Sequence, residues 1–106
     1  MKEIKAYVRN NMVDHVVDSL HQLEDFTYAV AMSPLHEYGF QETDSTIQKV
    51  EMTKLEIDVP DDRSDAVVNC ILRNACTGVG HGGHAGDGKV FVSDVSEGYR
   101  IRDGRS

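Results

Sequence analysis

An internal repeat at an offset of 51 residues is the feature that most constrains the fold of this chain. The first copy joins an alternating segment, residues 4–8, to a segment of helical period, residues 13–20. The second copy joins residues 55–59 to residues 64–71 in the same way. Alternation of apolar and polar residues predicts a strand, and apolar residues spaced near 3.6 predict an amphipathic helix. The repeat therefore predicts two similar strand–helix units.

A further strand candidate follows each predicted helix, at residues 26–32 and 89–95. The resulting order β-α-β-β-α-β predicts an α+β, ferredoxin-like fold. With 106 residues, the chain is expected to form one domain, residues 1–106. Asn10 or Asn11 is expected to cap the first helix, and Asp61 or Asp62 the second.

Composition excludes several classes of function. The formal net charge of −7 argues against nucleic acid or an anionic membrane as the main partner. No apolar run approaches the roughly 20 residues that span a bilayer, and Lys2, Glu3 and Lys5 interrupt any secretory signal at the start. Cys70 and Cys76, six residues apart on one predicted helix, are too distant to bridge and are expected to be buried thiols. We therefore expect a cytoplasmic protein without membrane insertion.

The basic residues near the end of the chain suggest a phosphate site. Gly86, Asp87, Gly88 and Lys89 form a glycine turn that leads into a strand, where backbone N–H groups and a lysine can approach an anion. Arg100 and Arg102 are expected to alternate on an extended segment, so that both guanidinium groups leave the same face. A tight hairpin turn explains the Gly-Asp-Gly sequence equally well.

This glycine turn matches neither of the two common nucleotide-binding motifs. A P-loop and a dinucleotide-binding loop both lead into a helix, whereas Val90 and a predicted strand follow Lys89. Two other stretches are expected to be irregular: a polar segment at 35–53, long enough to be functional or mobile, and a glycine-rich segment at 77–88.

Several segments, in the right order, resemble PII-type signalling proteins over essentially the whole chain. They are residues 1–6, 59–62, 75–78, 86–92 and 100–104. The resemblance implies a homotrimer with three inter-subunit clefts that each bind an adenine nucleotide. It places the phosphates on the loop at 77–89, and the arginines would reach them from the neighbouring subunit. The nucleotide-binding residues implied are Gly78, Gly86, Asp87, Gly88, Lys89, Arg100 and Arg102.

The resemblance also implies a regulatory loop between the second and third strands. In the family this loop docks on a target protein, so a non-enzymatic regulator of a membrane transporter is expected. The residues that match its beginning are Tyr38, Gly39, Phe40 and Gln41.

The chain departs from the family pattern in ways that bear on the ligand. The middle loop is several residues shorter and has no tyrosine between Phe40 and Lys54, so the usual uridylylation site is missing. Val79 and Met52 stand where the family has lysines. Because these changes remove positive charge around the outer phosphates, ADP or AMP is expected rather than ATP with 2-oxoglutarate. The departures resemble branches associated with inorganic carbon uptake or heavy-metal efflux, and for the former bicarbonate is a plausible second ligand.

His81 and His84 lie three residues apart in an insertion that is unusual for the family. They could be solvated, could contact a nucleotide or an anion, or could bind a transition metal with His36 or a threefold axis completing the site. The alternative function is therefore a trimeric metal-binding protein of similar fold.

Overall fold

A computed structural model describes residues 1–40, 46–77, 87–102 and 104. Its strands and helices follow the predicted β-α-β-β-α-β order. They are β1 (Lys2–Arg9), α1 (Val13–His21), β2 (Ala31–Phe40), β3 (Ile47–Val59), α2 (Ser64–Ala75) and β4 (Gly88–Asp94). In these ranges neither helix has the length and apolar character needed to cross a membrane.

The four strands form one antiparallel sheet in the order β2-β3-β1-β4. Ile4 pairs with Ile57 and Ala6 with Leu55, and all four of these side chains are buried. Since opposite residues of an antiparallel pair share a face, these residues form the face that α1 and α2 cover. The ferredoxin-like α+β fold is confirmed.

The repeat seen in the sequence is also a repeat of structure. Each unit passes from a strand through a short 3₁₀ turn, Asn10–Met12 or Asp61–Arg63, into its helix. Leu20 in α1 and Ile71 in α2 occupy equivalent positions and are both fully buried. The predicted side-chain caps are wrong, because the 3₁₀ turns occupy those positions and no described side chain caps either helix.

The prediction of a long loop at residues 35–53 is wrong. β2 continues to Phe40 and β3 begins at Ile47, so most of that segment is a strand pair. β1 ends at Arg9, which pairs with Met52, and Met52 pairs with Leu35. Among the described residues, 36–40 and 47–51 therefore pair only with each other, and we call them the β2–β3 arm. Its residues show little apolar periodicity because most of the arm lies outside the core and is exposed.

The strand predicted at 26–32 begins later than expected. Phe26 lies in the core, with its ring edge-on to His21 at 5.5 Å and to Tyr28 at 5.2 Å between ring centroids. β2 begins only at Ala31. Phe26 is buried although it lies in the segment that connects α1 to β2, and in the sequence a buried aromatic residue there resembles the start of a strand.

Two predictions for the second half of the chain are also corrected. Arg100 and Arg102 do not lie on a strand, because β4 ends at Asp94 and the Gly104 N–H donates to the Arg100 carbonyl at 2.7 Å, which closes a turn. The expectation of two buried thiols holds for Cys70 and is wrong for Cys76, which lies just after α2 and is exposed.

Candidate functional site

The face of the sheet opposite the helices carries the charged residues of the candidate site; we call it the open face. On β1 this face includes Tyr7 and Arg9, which alternate with the buried Ala6 and Val8. Tyr7 pairs in register with Lys89 of β4, so that both side chains leave the same face. The glycine turn predicted from the sequence therefore delivers its lysine to the open face.

The carboxylate of Asp87 ties together the two described ends of segment 77–87. It accepts hydrogen bonds from the Thr77 backbone N–H at 3.1 Å and from the Thr77 hydroxyl at 2.6 Å. The Arg9 Nε lies 3.2 Å from the same carboxylate. The Asp87 side chain is only 15 % exposed. We call Thr77, Asp87 and Arg9 the loop clamp, because they hold residues ten apart in sequence against the end of β1.

Gly88 has a backbone conformation that only glycine can adopt here. Its φ is +125°, and a Cβ at this position would lie 1.7 Å from the carbonyl oxygen of Tyr7. The close approach of the two backbones brings the chain from the loop clamp directly onto β1. Gly88 thus sets where β4 starts and where Lys89 points.

Lys89 lies between an aromatic ring and a carboxylate. Its Nζ is 5.1 Å from the centroid of the Tyr7 ring and 3.7 Å from Glu37 Oε2. The lysine side chain is about half exposed. Glu37 belongs to the β2–β3 arm, and its other oxygen, Oε1, is buried without a hydrogen-bond partner among the described residues. No local pattern in the sequence marks Glu37, because only the folded sheet brings residue 37 next to residue 89.

Arg100 lies in a different part of the molecule. It lines a surface depression together with Tyr28, Glu56 and Asp58, where Asp58 pairs with Glu3 of β1. Glu3 and Tyr7 are four residues apart on one strand, a separation of about 14 Å at ~3.4 Å per residue. The structure therefore does not bring Arg100 and Lys89 together within one chain. Arg102 is exposed in the turn beside it.

The remaining predicted site residues divide between the arm and the segments that are not described. Tyr38, Gly39 and Phe40 lie in the strand of the arm rather than in a loop, and Tyr38 is exposed. The predicted residues Gln41, Gly78, His81, His84 and Gly86 lie outside the described residues.

The part of the chain that the structure describes holds no cluster of metal-ligating side chains. Within it, no three His, Cys, Asp or Glu side chains are grouped so that they could hold an ion. His36 lies on the arm, with its Nε2 at 3.6 Å from Glu51 Oε1, and so forms a cross-strand pair with that carboxylate.

Comparison with known proteins decides the family. The family model for the nitrogen regulatory protein P-II matches residues 1–105. The chain belongs to the P-II family. A GlnB-like protein 1 of the nitrogen fixation nifHD region from Methanothermococcus thermolithotrophicus is 36 % identical over 108 residues, which cover 100 % of this chain and 98 % of the relative.

Two further relatives carry the P-II name itself. Nitrogen regulatory protein P-II 2 of Methanothermobacter thermautotrophicus is 35 % identical over 112 residues, covering 100 % of this chain and 93 % of the relative. P-II 1 of Escherichia coli is 31 % identical over 112 residues, covering 98 % and 94 %. The predicted family is confirmed, and with it the assignment of this P-II chain to signalling and regulatory proteins.

Proposed function

We propose that this P-II protein is a non-enzymatic, trimeric sensor that binds an adenine nucleotide between subunits. Lys89 and the loop clamp would form the phosphate side of each cleft, and Arg100 of the neighbouring subunit would complete it. The observation that carries the proposal is that Lys89 and Arg100 lie at separate places on one chain. A cleft that uses both residues requires a second subunit.

The depression around Arg100 has the chemistry of a nucleoside site. Tyr28 offers an aromatic surface, and the Glu56 and Asp58 carboxylates can accept hydrogen bonds from an amino group or from ribose hydroxyls. Lys89 supplies a compact positive charge for a phosphate. The depression would therefore hold the nucleoside, while Lys89 of one subunit and Arg100 of its neighbour would contact the phosphates.

The charge at the phosphate side supports ADP or AMP over ATP. Each of the two cations that one subunit supplies there is already matched with a carboxylate, Arg9 with Asp87 and Lys89 with Glu37. A ligand with fewer phosphate charges meets less repulsion at such a neutral site. Bicarbonate, with a single charge, is proposed as a second ligand on the same grounds.

The β2–β3 arm is the proposed contact with a regulated partner. It projects past the end of β1, and it carries exposed aromatic and aliphatic side chains, Tyr38 and Ile47. We propose a membrane transporter as the partner, with bicarbonate uptake as the leading candidate process. The arm would change position with the bound ligand and so report its presence.

Calorimetric titration with AMP, ADP and ATP tests the nucleotide site. Lys89→Ala and Arg100→Ala are each expected to weaken binding by about 10- to 150-fold, since one charge-assisted phosphate contact contributes about 1.5–3 kcal/mol. Lys49→Ala, on the exposed arm, is the matched control and is expected to bind as the unchanged protein does.

Mixing the two variants tests whether the site lies between subunits. When trimers of Lys89→Ala and Arg100→Ala exchange subunits, about a quarter of the clefts should regain both residues and bind with full affinity. No recovery after mixing would contradict an inter-subunit cleft. Zinc binding that is lost in the double variant His81→Ala, His84→Ala, without any nucleotide binding, would favour the metal-binding alternative.

A further inference from the structure

The phosphate side of the candidate site holds its own anions. On one subunit, two cations, Arg9 and Lys89, and two carboxylates, Asp87 and Glu37, meet there, so the formal charges that this subunit supplies cancel. A phosphate that binds Lys89 must therefore compete with a carboxylate that is already in place. The exposure and contacts of the two carboxylates differ, and these determine which of them a phosphate can displace.

Asp87 is the carboxylate that stays. It is 15 % exposed and has at least three contacts, two with Thr77 and one with Arg9. Releasing it would remove one acceptor from a partly buried backbone N–H and from a hydroxyl, and one carboxylate from beside a guanidinium, each of which costs free energy. Asp87 therefore acts as part of the framework.

Glu37 is the carboxylate that can leave. Its side chain is 33 % exposed, and its Oε2 lies 3.7 Å from Lys89 Nζ, beyond the roughly 2.7–2.9 Å of a charge-assisted hydrogen bond. Its Oε1 has no hydrogen-bond partner among the described residues although it is buried. Loss of this long contact costs little, and moving into solvent satisfies the unpaired oxygen.

The position of Glu37 gives its release a structural consequence. Glu37 lies opposite Val50 in the β2–β3 arm, past the last pairing of β3 with β1. Lys89 belongs to β4, on the far side of β1 from β3. The Glu37–Lys89 pair therefore spans the open face and connects the arm to the strand that carries the ligand-binding lysine.

We propose that Glu37 is a resident anion on Lys89, and that an incoming phosphate group displaces it and thereby releases the arm from the open face. This inference rests on the proposed phosphate site at Lys89. Because linkage is reciprocal, a partner that binds the arm while Glu37 lies on Lys89 must weaken phosphate binding. The factor equals that by which bound phosphate weakens the binding of this partner. Glu37 thus determines both the affinity for the ligand and its coupling to the arm.

Affinity measurements with Glu37→Gln test the competition. Without the carboxylate, the variant is expected to bind ADP and inorganic pyrophosphate about two- to fivefold more tightly than the unchanged protein, the range for a partly exposed ion pair. Glu51→Gln, which removes a carboxylate of the same arm that pairs with His36, is the matched control and should leave both affinities unchanged. Equal affinity in Glu37→Gln and the unchanged protein, with binding still lost in Lys89→Ala, would overturn this inference and leave the proposed function standing.

Hydrogen exchange tests the release of the arm. In the unchanged protein, saturating pyrophosphate is expected to speed amide exchange at 36–40 and 47–51, and ligand-free Glu37→Gln should already show that faster exchange. Slower exchange of the arm on binding, or a ligand-free variant with the exchange of the unchanged protein, would contradict the release. If the unchanged protein binds neither ADP nor pyrophosphate, both the proposed function and this inference are overturned.

Discussion

The two strand–turn–helix units have equivalent structures, yet they continue in different ways. After α1 the chain passes through Phe26 into the edge strand β2, whose outer half pairs with the part of β3 that lies beyond the pairing of β3 with β1. After α2 the loop clamp holds Thr77 and Asp87 together, and β4 begins at Gly88, where its backbone approaches Tyr7 of β1. The repeat builds the body of the molecule, and the candidate site lies where the two units stop being alike.

Arg9 shows where this divergence begins. It ends β1, and the residue 51 positions later is Pro60, which directly follows β3 and has no side-chain cation. The second unit therefore has no cation at the position equivalent to Arg9, which contacts Asp87. The comparison indicates that substitutions in the repeated body should act on stability, and substitutions after it should act on the loop clamp or the ligand.

The largest expected effects test whether the two units contribute equally to the body. Leu20→Ala and Ile71→Ala remove equivalent, fully buried side chains. Each is expected to lower the free energy of unfolding by about 2–5 kcal/mol, through lost burial and the cavity that remains. Denaturant titration at one fixed protein concentration measures both.

Equivalent exposed positions give the controls for this pair. Asp18→Ala in α1 and Asn69→Ala in α2 are also 51 residues apart and are expected to change stability by less than about 0.5 kcal/mol. A large loss in one unit with little effect in the other would show that only one unit carries the core, and would contradict the structural equivalence.

Intermediate effects are expected where the second unit ends. Asp87→Ala removes the acceptor for two hydrogen bonds from Thr77 and the partner of Arg9. Because this carboxylate is largely buried, a loss of about 1–3 kcal/mol in unfolding free energy is expected. Glu51→Ala breaks the exposed pair with His36 on the arm and should cost less than about 0.5 kcal/mol. If the two variants lost similar amounts of unfolding free energy, the loop clamp would contribute no more to stability than an exposed ion pair of the β2–β3 arm.

The smallest expected effect concerns the two cysteines on either side of the end of α2 and leaves the fold unchanged. Burial raises the pKa of the Cys70 thiol, whereas Cys76 is exposed just past the helix. A thiol reagent is therefore expected to modify Cys76 in the native protein and Cys70 only after unfolding, since the thiolate is the reactive form. In Cys76→Ser, rapid native labelling should disappear; rapid labelling of the remaining thiol would show that α2 opens readily.

The body could be predicted because its sequence pattern and its burial agree. Residues 4–8 and 55–59 alternate along strands that are covered on one face, and the helical stripes face that same layer. The arm could not be predicted in this way. Its strands lie outside the core, so no alternation of apolar residues marks them, and their backbone pairing decides their structure.

The candidate site was predicted in its residue types but not in its partners. The Gly-Asp-Gly-Lys sequence indicated a turn that leads a lysine into a strand, and the structure places Gly88 and Lys89 so. The bonds of Asp87 to Thr77 and Arg9, and the pairing of Glu37 with Lys89, join residues 10 to 78 positions apart. Such pairs have no local pattern, since they depend on strand order and register.

The sequence alone determined the order of elements, the two repeated units and the resemblance to P-II proteins, because periodicity and short motifs are local properties of a chain. The tertiary structure decided that Arg100 lies apart from Lys89, that Asp87 binds the protein itself and that Glu37 reaches across the open face. These facts follow from the order β2-β3-β1-β4, which sets distances between strands that are remote in sequence. Charge pairing at the site is a consequence of those distances.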